Sequence, residues 1–189
     1  LEMTNLGLTP VANPSGFFIQ ENTLNIPGSA VCCTQEGSRS LLFEIQALVS
    51  ASNYAVPQKV CVGIDSKRIT IILAILEKFA GVTIGSSDVF VQVAGGLKID
   101  DTSSDLALAF AITCNHLNKA VEGKAIILGE LGLSGEVRRV NQLELRVKEA
   151  LRLGFDTAIV PASNKEINLK GMKIHTIDHV RKLLDFIQE

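Results

Sequence analysis

The apolar positions of this 189-residue chain change period several times, and each change predicts an element. Val89, Val91 and Val93 alternate with Asp88, Phe90 and Gln92, so Asp88–Ala94 is predicted as a strand that stops at Gly95-Gly96. Ala30–Gln35 and Leu41–Val49 are predicted as an antiparallel pair turning at Glu36-Gly37-Ser38, with Val60–Ile64 a third strand. Ile69–Phe79 is apolar on almost every face, which predicts a buried helix behind an exposed Lys67-Arg68 entry. Between Asp105 and Leu117 the residues are small and apolar all round, the pattern of a central helix that neighbours approach closely. A short buried strand at Ala125–Leu128 follows, then a hairpin over Glu130–Val137 in which Gly132 and Gly135 serve the turn. Leu143, Val147, Ala150 and Leu151 give a helix over 142–153 with Gly154 at its C′ position. Thr157–Val160 and Lys173–Ile177 are the last strands, and Val180, Leu183, Leu184 and Ile187 form an amphipathic C-terminal helix starting near Thr176. Strands interleave with helices without a strict βαβ repeat, so the predicted class is α+β, a mixed α/β sheet with packed helices. Residues 1–29, with Pro10, Pro14 and Pro27 among Asn, Gly and Thr, read as an extended lead-in with few regular elements. Phe17, Phe18 and Ile19 are expected to tack it to the domain formed by 30–189.

Composition narrows the class of partner. With 47% hydrophobic and 20% charged residues the chain is too apolar for disorder. Eighteen Lys and Arg against 20 Asp and Glu leave a net charge of −2, so contact with nucleic acid needs a local patch. No apolar run reaches the roughly 18 residues that span a bilayer, and the start has no basic stretch leading into an apolar one. These features predict a soluble, cytoplasmic chain without a membrane partner. Leu1-Glu2 ahead of Met3 reads as a cloning remnant, and the chain as a piece of something larger.

Several chemistries fail on spacing. Cys32, Cys33, Cys61 and Cys114 contain no C-x-x-C and sit among apolar residues, as small buried side chains do. His175, Asp178 and His179 have no second ligand cluster near them, so no metal site is predicted. Gly123-Lys124 lacks the upstream glycine and downstream hydroxyl of a phosphate-binding loop. What remains is Asp101-Thr102-Ser103-Ser104-Asp105 at the start of the central helix, where free N–H groups favour oxyanions and a serine is placed as a nucleophile would be. The competing structural account is a capping box, Thr102-x-x-Asp105. A nucleophilic Ser103 or Ser104 also needs a base, and the three histidines suggest none.

The order Val89–Gly96, Thr102–Ala109, Leu128–Val140 and Glu149–Pro161 resembles the Lon-type proteolytic domain. More closely, it resembles the Lon-like C-terminal domain of the bacterial RadA (Sms) family of DNA-repair proteins. Pro27–Ala30, Glu44–Val49 and Gly63–Asp65 extend the match upstream, so it covers nearly the whole chain. The fold implied is that of the Lon proteolytic domain, like ribosomal protein S5 domain 2. By the same resemblance the catalytic serine falls on Ser103 and the position of its lysine partner on Glu144. An anion beside a forming oxyanion opposes the reaction, so the dyad is incomplete and Ser103 vestigial. Lys148, one turn on, has a simpler role as an i,i+4 partner of Glu144.

Further expectations come with the resemblance. It implies a parent with a zinc-binding segment and a RecA-like ATPase upstream, which hold Zn, ATP and Mg, while this chain binds no cofactor. The parent is expected to be a DNA-dependent ATPase, a hexameric ring that binds single-stranded or branched DNA, promotes branch migration in homologous recombination and works with a recombinase. This chain would then supply scaffold and DNA contact. The DNA-contact candidates fall into two sets, Lys59, Lys67 and Arg68, and Arg138, Arg139, Arg146, Lys148 and Arg152, the second interleaved with Glu136, Glu144 and Glu149. The rival readings are an active serine peptidase using Ser103 and a pure protein-interaction module.

Overall fold

The computed structural model describes residues 2–4, 7–9, 14–19, 26–37, 39–120 and 123–188; Pro10 and Ser38 lie outside them, as does the side chain of Phe17. In chain order the strands are β1 (Glu2–Thr4), β2 (Gly7–Thr9), β3 (Ser29–Glu36), β4 (Arg39–Ala51), β5 (Lys59–Val62), β6 (Ser87–Val93), β7 (Ala125–Ile127), β8 (Glu130–Leu131), β9 (Val137–Arg138), β10 (Thr157–Pro161) and β11 (Lys173–Ile177). The α-helices are α1 (Ser66–Ile75), α2 (Asp105–His116), α3 (Leu143–Arg152) and α4 (Leu183–Gln188).

One seven-stranded sheet, ordered β11-β10-β7-β3-β4-β6-β5, organises the molecule. The β3/β4 and β4/β6 pairs are antiparallel, whereas β5/β6, β3/β7, β7/β10 and β10/β11 are parallel. This is the mixed sheet the alternation of strands and helices predicts. Ala30, Val31, Cys32 and Cys33 are buried in succession on β3, and Leu42, Phe43, Glu44 and Ile45 on β4. Four consecutive buried residues mean that both faces of the central strands are covered. α2 packs on β3 and β4 and against α1, and α3 also reaches both strands. Every residue from Asp105 to Cys114 is buried, as the small apolar run requires.

Four local expectations are corrected. The lead-in holds more structure than its Pro and Asn content suggests: β1 and β2 pair antiparallel, and Pro14–Phe17 forms a 3-10 turn. Its anchor is polar as well as apolar. β6 pairs with β4 only from Ile45 onward, and in the gap Leu42 donates its N–H to Ser15 Oγ at 3.1 Å and Glu44 donates to the Phe18 carbonyl at 3.0 Å. Phe18 and Ile19 pack on the core beside it. Second, α1 starts three residues before Ile69 because Asp65 caps it, accepting the Lys67 N–H at 2.9 Å, and it runs on as a π-turn through Ala80. Third, β5 ends at Val62 because Gly63, at φ +85°, lies so close to the Leu97 carbonyl that a Cβ would sit 2.3 Å from its oxygen. Finally, the C-terminal helix does not begin at Thr176: β11 continues to Ile177, a 3-10 turn covers Val180–Lys182, and only then does α4 start. His175 is therefore on a strand, edge-on to Phe186, while the His179 ring caps the turn by accepting the Arg181 N–H at 3.3 Å.

Candidate functional site

The loop leaving β6 turns at Gly95 and Gly96, both left-handed at φ +70° and +69°, and enters α2 through a 3-10 turn, Thr102–Ser104. The capping box does not form there. Asp101 is the cap, its Oδ1 accepting the Ser103 N–H at 2.9 Å, and Ser104 Oγ donates to the Asp101 carbonyl at 2.9 Å. Thr102 Oγ1 instead donates to Glu130 Oε2 at 2.6 Å. The Asp105 carboxylate takes Arg68 Nε at 2.5 Å and the Leu131 N–H at 3.2 Å. Both side chains turn away to the β8/β9 hairpin and α1, which leaves the cap to Asp101.

Ser103 is buried, with 3% exposure, and the charged group on its hydroxyl is neither Glu144 nor Lys148 but Arg146. Arg146 Nη1 lies 2.8 Å from Ser103 Oγ and 2.7 Å from Asp101 Oδ2, and it also donates to the Cys33 carbonyl. Arg146 Nε donates to the Asn141 carbonyl at 3.1 Å. With 4% exposure Arg146 is a buried cation, so its place among the surface DNA-contact candidates is corrected. Glu144 points to solvent and forms the expected i,i+4 pair with Lys148 at 2.6 Å. The signal for Arg146 was legible: Leu143, Arg146, Val147 and Ala150 recur at three and four, so a cation falls on the buried stripe of α3 and must find an anion.

This arrangement sets the chemistry. A guanidinium stays protonated and has no lone pair with which to accept a proton, so Arg146 stabilises an anion but does not deprotonate a hydroxyl. Ser103 Oγ accepts its hydrogen bond, and the acceptors it faces are the Cys33 carbonyl at 3.5 Å and the Asp101 carboxylate, which Arg146 keeps ionised. Burial works to raise the Asp101 pKa, but the Ser103 N–H and the Arg146 guanidinium outweigh it and hold the carboxyl below its ordinary value. Asp105 goes the other way, because its burial outweighs the nearby Arg68 cation. The adjacent thiols are suppressed by desolvation, Cys33 to about 12 and Cys32 well upward. A cation with fixed charge, a hydroxyl and shielded thiols form a buried clasp that joins β3, the α2 entry and α3.

The other basic candidates divide by partner. Lys59 Nζ donates to the Ser87 carbonyl at 2.5 Å and the Ile84 carbonyl at 3.2 Å, and Arg68 is 17% exposed on its side chain and held by Asp105. Arg138 pairs with Glu136 at 2.6 Å and Glu130 at 3.5 Å, and Arg152 with Glu149 at 2.6 Å. Lys67 and Arg139 are exposed and have no ion pair or side-chain hydrogen bond among the described residues. No group of three or more His, Cys, Asp and Glu is placed to hold a metal among those residues, and no helix there is long and apolar enough to cross a membrane.

The class so defined is a mixed α/β domain whose helix-entry serine is clasped by a buried arginine. Residues 55–164 match the family model described as subunit ChlI of Mg-chelatase, more than half of the chain, and the chain belongs to that family. Over nearly its whole length it is similar to proteins named DNA repair protein RadA. It is 43% identical over 98% of the chain to that of Aquifex aeolicus, 41% over 99% to that of Pseudomonas aeruginosa, and 38% over 97% to that of Bacillus subtilis. It covers 41%, 42% and 40% of those relatives, so the chain spans about two-fifths of their length.

Proposed function

We propose that this chain is a proteolytically silent, Lon-like scaffold and DNA-contact domain of a RadA-type DNA-repair protein. The observation that carries the silent half is the Arg146 guanidinium 2.8 Å from Ser103 Oγ and 2.7 Å from Asp101 Oδ2, because it holds the carboxylate beside the hydroxyl below its ordinary pKa and so makes it a poor proton acceptor. The DNA-repair half rests on the names of relatives that match nearly all of the chain. In this reading the parent is a cytoplasmic DNA-dependent ATPase, assembled as a hexameric ring, that promotes branch migration beside a recombinase. Its ATP, Mg and Zn sites belong to segments other than residues 30–189, which form one domain behind the lead-in 1–29.

A fluorophosphonate probe tests the silent half. No labelling of Ser103 is expected, either in the native chain or in Arg146→Ala, which uncovers the hydroxyl and leaves the weakly basic Asp101 carboxylate beside it. Labelling of the native chain that disappears in Ser103→Ala means a working peptidase and ends this reading. Light scattering tests the scaffold half, with a mass several times 20.3 kDa expected and a monomer at high concentration counting against it.

A further inference from the structure

The segment after β9 and the loop after β10 face each other across a cleft of about 460 Å³, lined by residues 139–144 and 163–167. Its size lies in the range of small-ligand sites. The two walls are joined by one side chain: Asn164 Oδ1 accepts the Val140 N–H at 2.9 Å, and Asn164 Nδ2 donates to the Val140 carbonyl at 2.8 Å. That two-point bond imitates a strand pairing and fixes the separation of the walls, so the cleft is present without a ligand.

Its lining mixes apolar side chains (Val140, Leu143 and Ile167) with polar ones and supplies a cation from each wall. Arg139 and Lys165 are both exposed, and neither has an ion pair or side-chain hydrogen bond among the described residues. Arg138, one residue before the cleft, differs, because Glu136 and Glu130 hold its guanidinium. Asn141, Gln142 and Ser163 offer both donors and acceptors. Two carboxylates share the lining: Glu144, neutralised by Lys148 at 2.6 Å, and Glu166. Glu166 opposes an anion and sets an upper limit on its affinity.

We infer that this cleft is where the chain holds single-stranded nucleic acid, with Arg139 and Lys165 on backbone phosphates and Asn141, Gln142 and Ser163 facing the sugar and base. The inference rests on the DNA-contact reading above and moves that contact from Arg138 and the α3 cations to the cleft. With one Tyr and no Trp in the chain, base stacking contributes little, so phosphate contact dominates and binding is weak and strongly salt-dependent.

The test is fluorescence anisotropy with a labelled oligothymidylate and the full 189-residue chain, titrated over a series of salt concentrations. Each lost phosphate contact on a single strand lowers the slope of log K against log salt by about 0.7, so Arg139→Ala with Lys165→Ala is expected to lower it by about 1.4. Glu166→Gln is expected to tighten binding, and Arg138→Ala to leave the slope unchanged. Circular dichroism of each variant confirms the native fold. Slopes that stay at the native value in the folded double variant, while Arg138→Ala or Lys67→Ala lowers them, reject the cleft and leave the DNA reading in place. No binding by the native chain even at low salt rejects both, and binding of a phosphopeptide but not DNA at the cleft assigns it to a protein partner.

Discussion

At the level of single side chains, the clasp is an ion pair whose members depend on each other. Arg146 is 5% exposed on its side chain and Asp101 is 24%, so removing the carboxylate leaves a desolvated cation unpaired. Asp101→Asn is expected to cost about 3 kcal/mol, the scale for breaking a buried pair from one side. Arg146→Met in the same chain should restore most of that loss, because a thioether of similar length fills the site without charge. Urea unfolding of the four variants measures the coupling, and additive losses would mean that the two groups do not act as a pair. The sign of the pH dependence follows from the lowered Asp101 pKa. Its contribution is fully present above the ordinary carboxyl value of 3.8 and is lost as pH falls through the lower folded value. Asp101→Asn should therefore flatten the acid limb of stability against pH, and an unchanged limb assigns acid sensitivity elsewhere.

Among the elements, α2 and the central strands were legible because a buried element leaves a simple trace, a run of small or β-branched apolar residues bounded by Gly or Asp. Helix ends were less legible, since they turn on which of several carboxylates captures a given N–H. Asp101, Thr102 and Asp105 all stand where a side chain can cap the 3-10 turn that enters α2, and only tertiary contacts to Glu130, Arg68 and Leu131 decide that Asp101 holds it. The site was half legible for the same reason. Placement before a helix pointed to Ser103 or Ser104, and the resemblance to the Lon-type domain singled out Ser103, but its partner lies 43 residues away, on a helix whose register across β3 no local pattern reveals. The cysteines on these elements give a direct test. Cys33 on β3 and Cys114 on α2 are pushed by desolvation to about 12, so at pH 8 only on the order of one thiol in ten thousand is ionised, and Cys32 is also buried. Only half-buried Cys61 on β5 should react quickly with Ellman's reagent in the native chain, with all four reacting in denaturant. Two or more fast thiols would mean that β3 or α2 opens readily.

For the whole molecule, the question is whether the lead-in belongs to the domain's cooperative unit. The β4 edge beside β6 gives a physical answer. β6 stops short of Leu42, and a buried N–H without a partner costs about 1–3 kcal/mol, so some group must meet the Leu42 amide. Ser15 does so from outside the sheet with its side chain, and it is itself 1% exposed. Bringing a distant segment across the sheet for one hydroxyl is stable only because Phe18 and Ile19 bury apolar surface at the same place and Glu44 donates to the Phe18 carbonyl. The 14–19 segment of the lead-in is therefore held, among the described residues, by two backbone amides of β4 and a small apolar contact, far less than the packing that holds α2, while nearer β3 the Gly28 and Pro27 carbonyls accept from the Ala47 N–H at 2.8 Å and Asn115 Nδ2 at 3.2 Å. Ser15→Ala should expose that difference. The Leu42 amide is expected to exchange with deuterium roughly five-fold faster, the equivalent of about 1 kcal/mol, while amides of β3 and α2 keep their protection. If β3 and α2 lose protection in step with Leu42, the lead-in unfolds together with the core and the two are one cooperative unit.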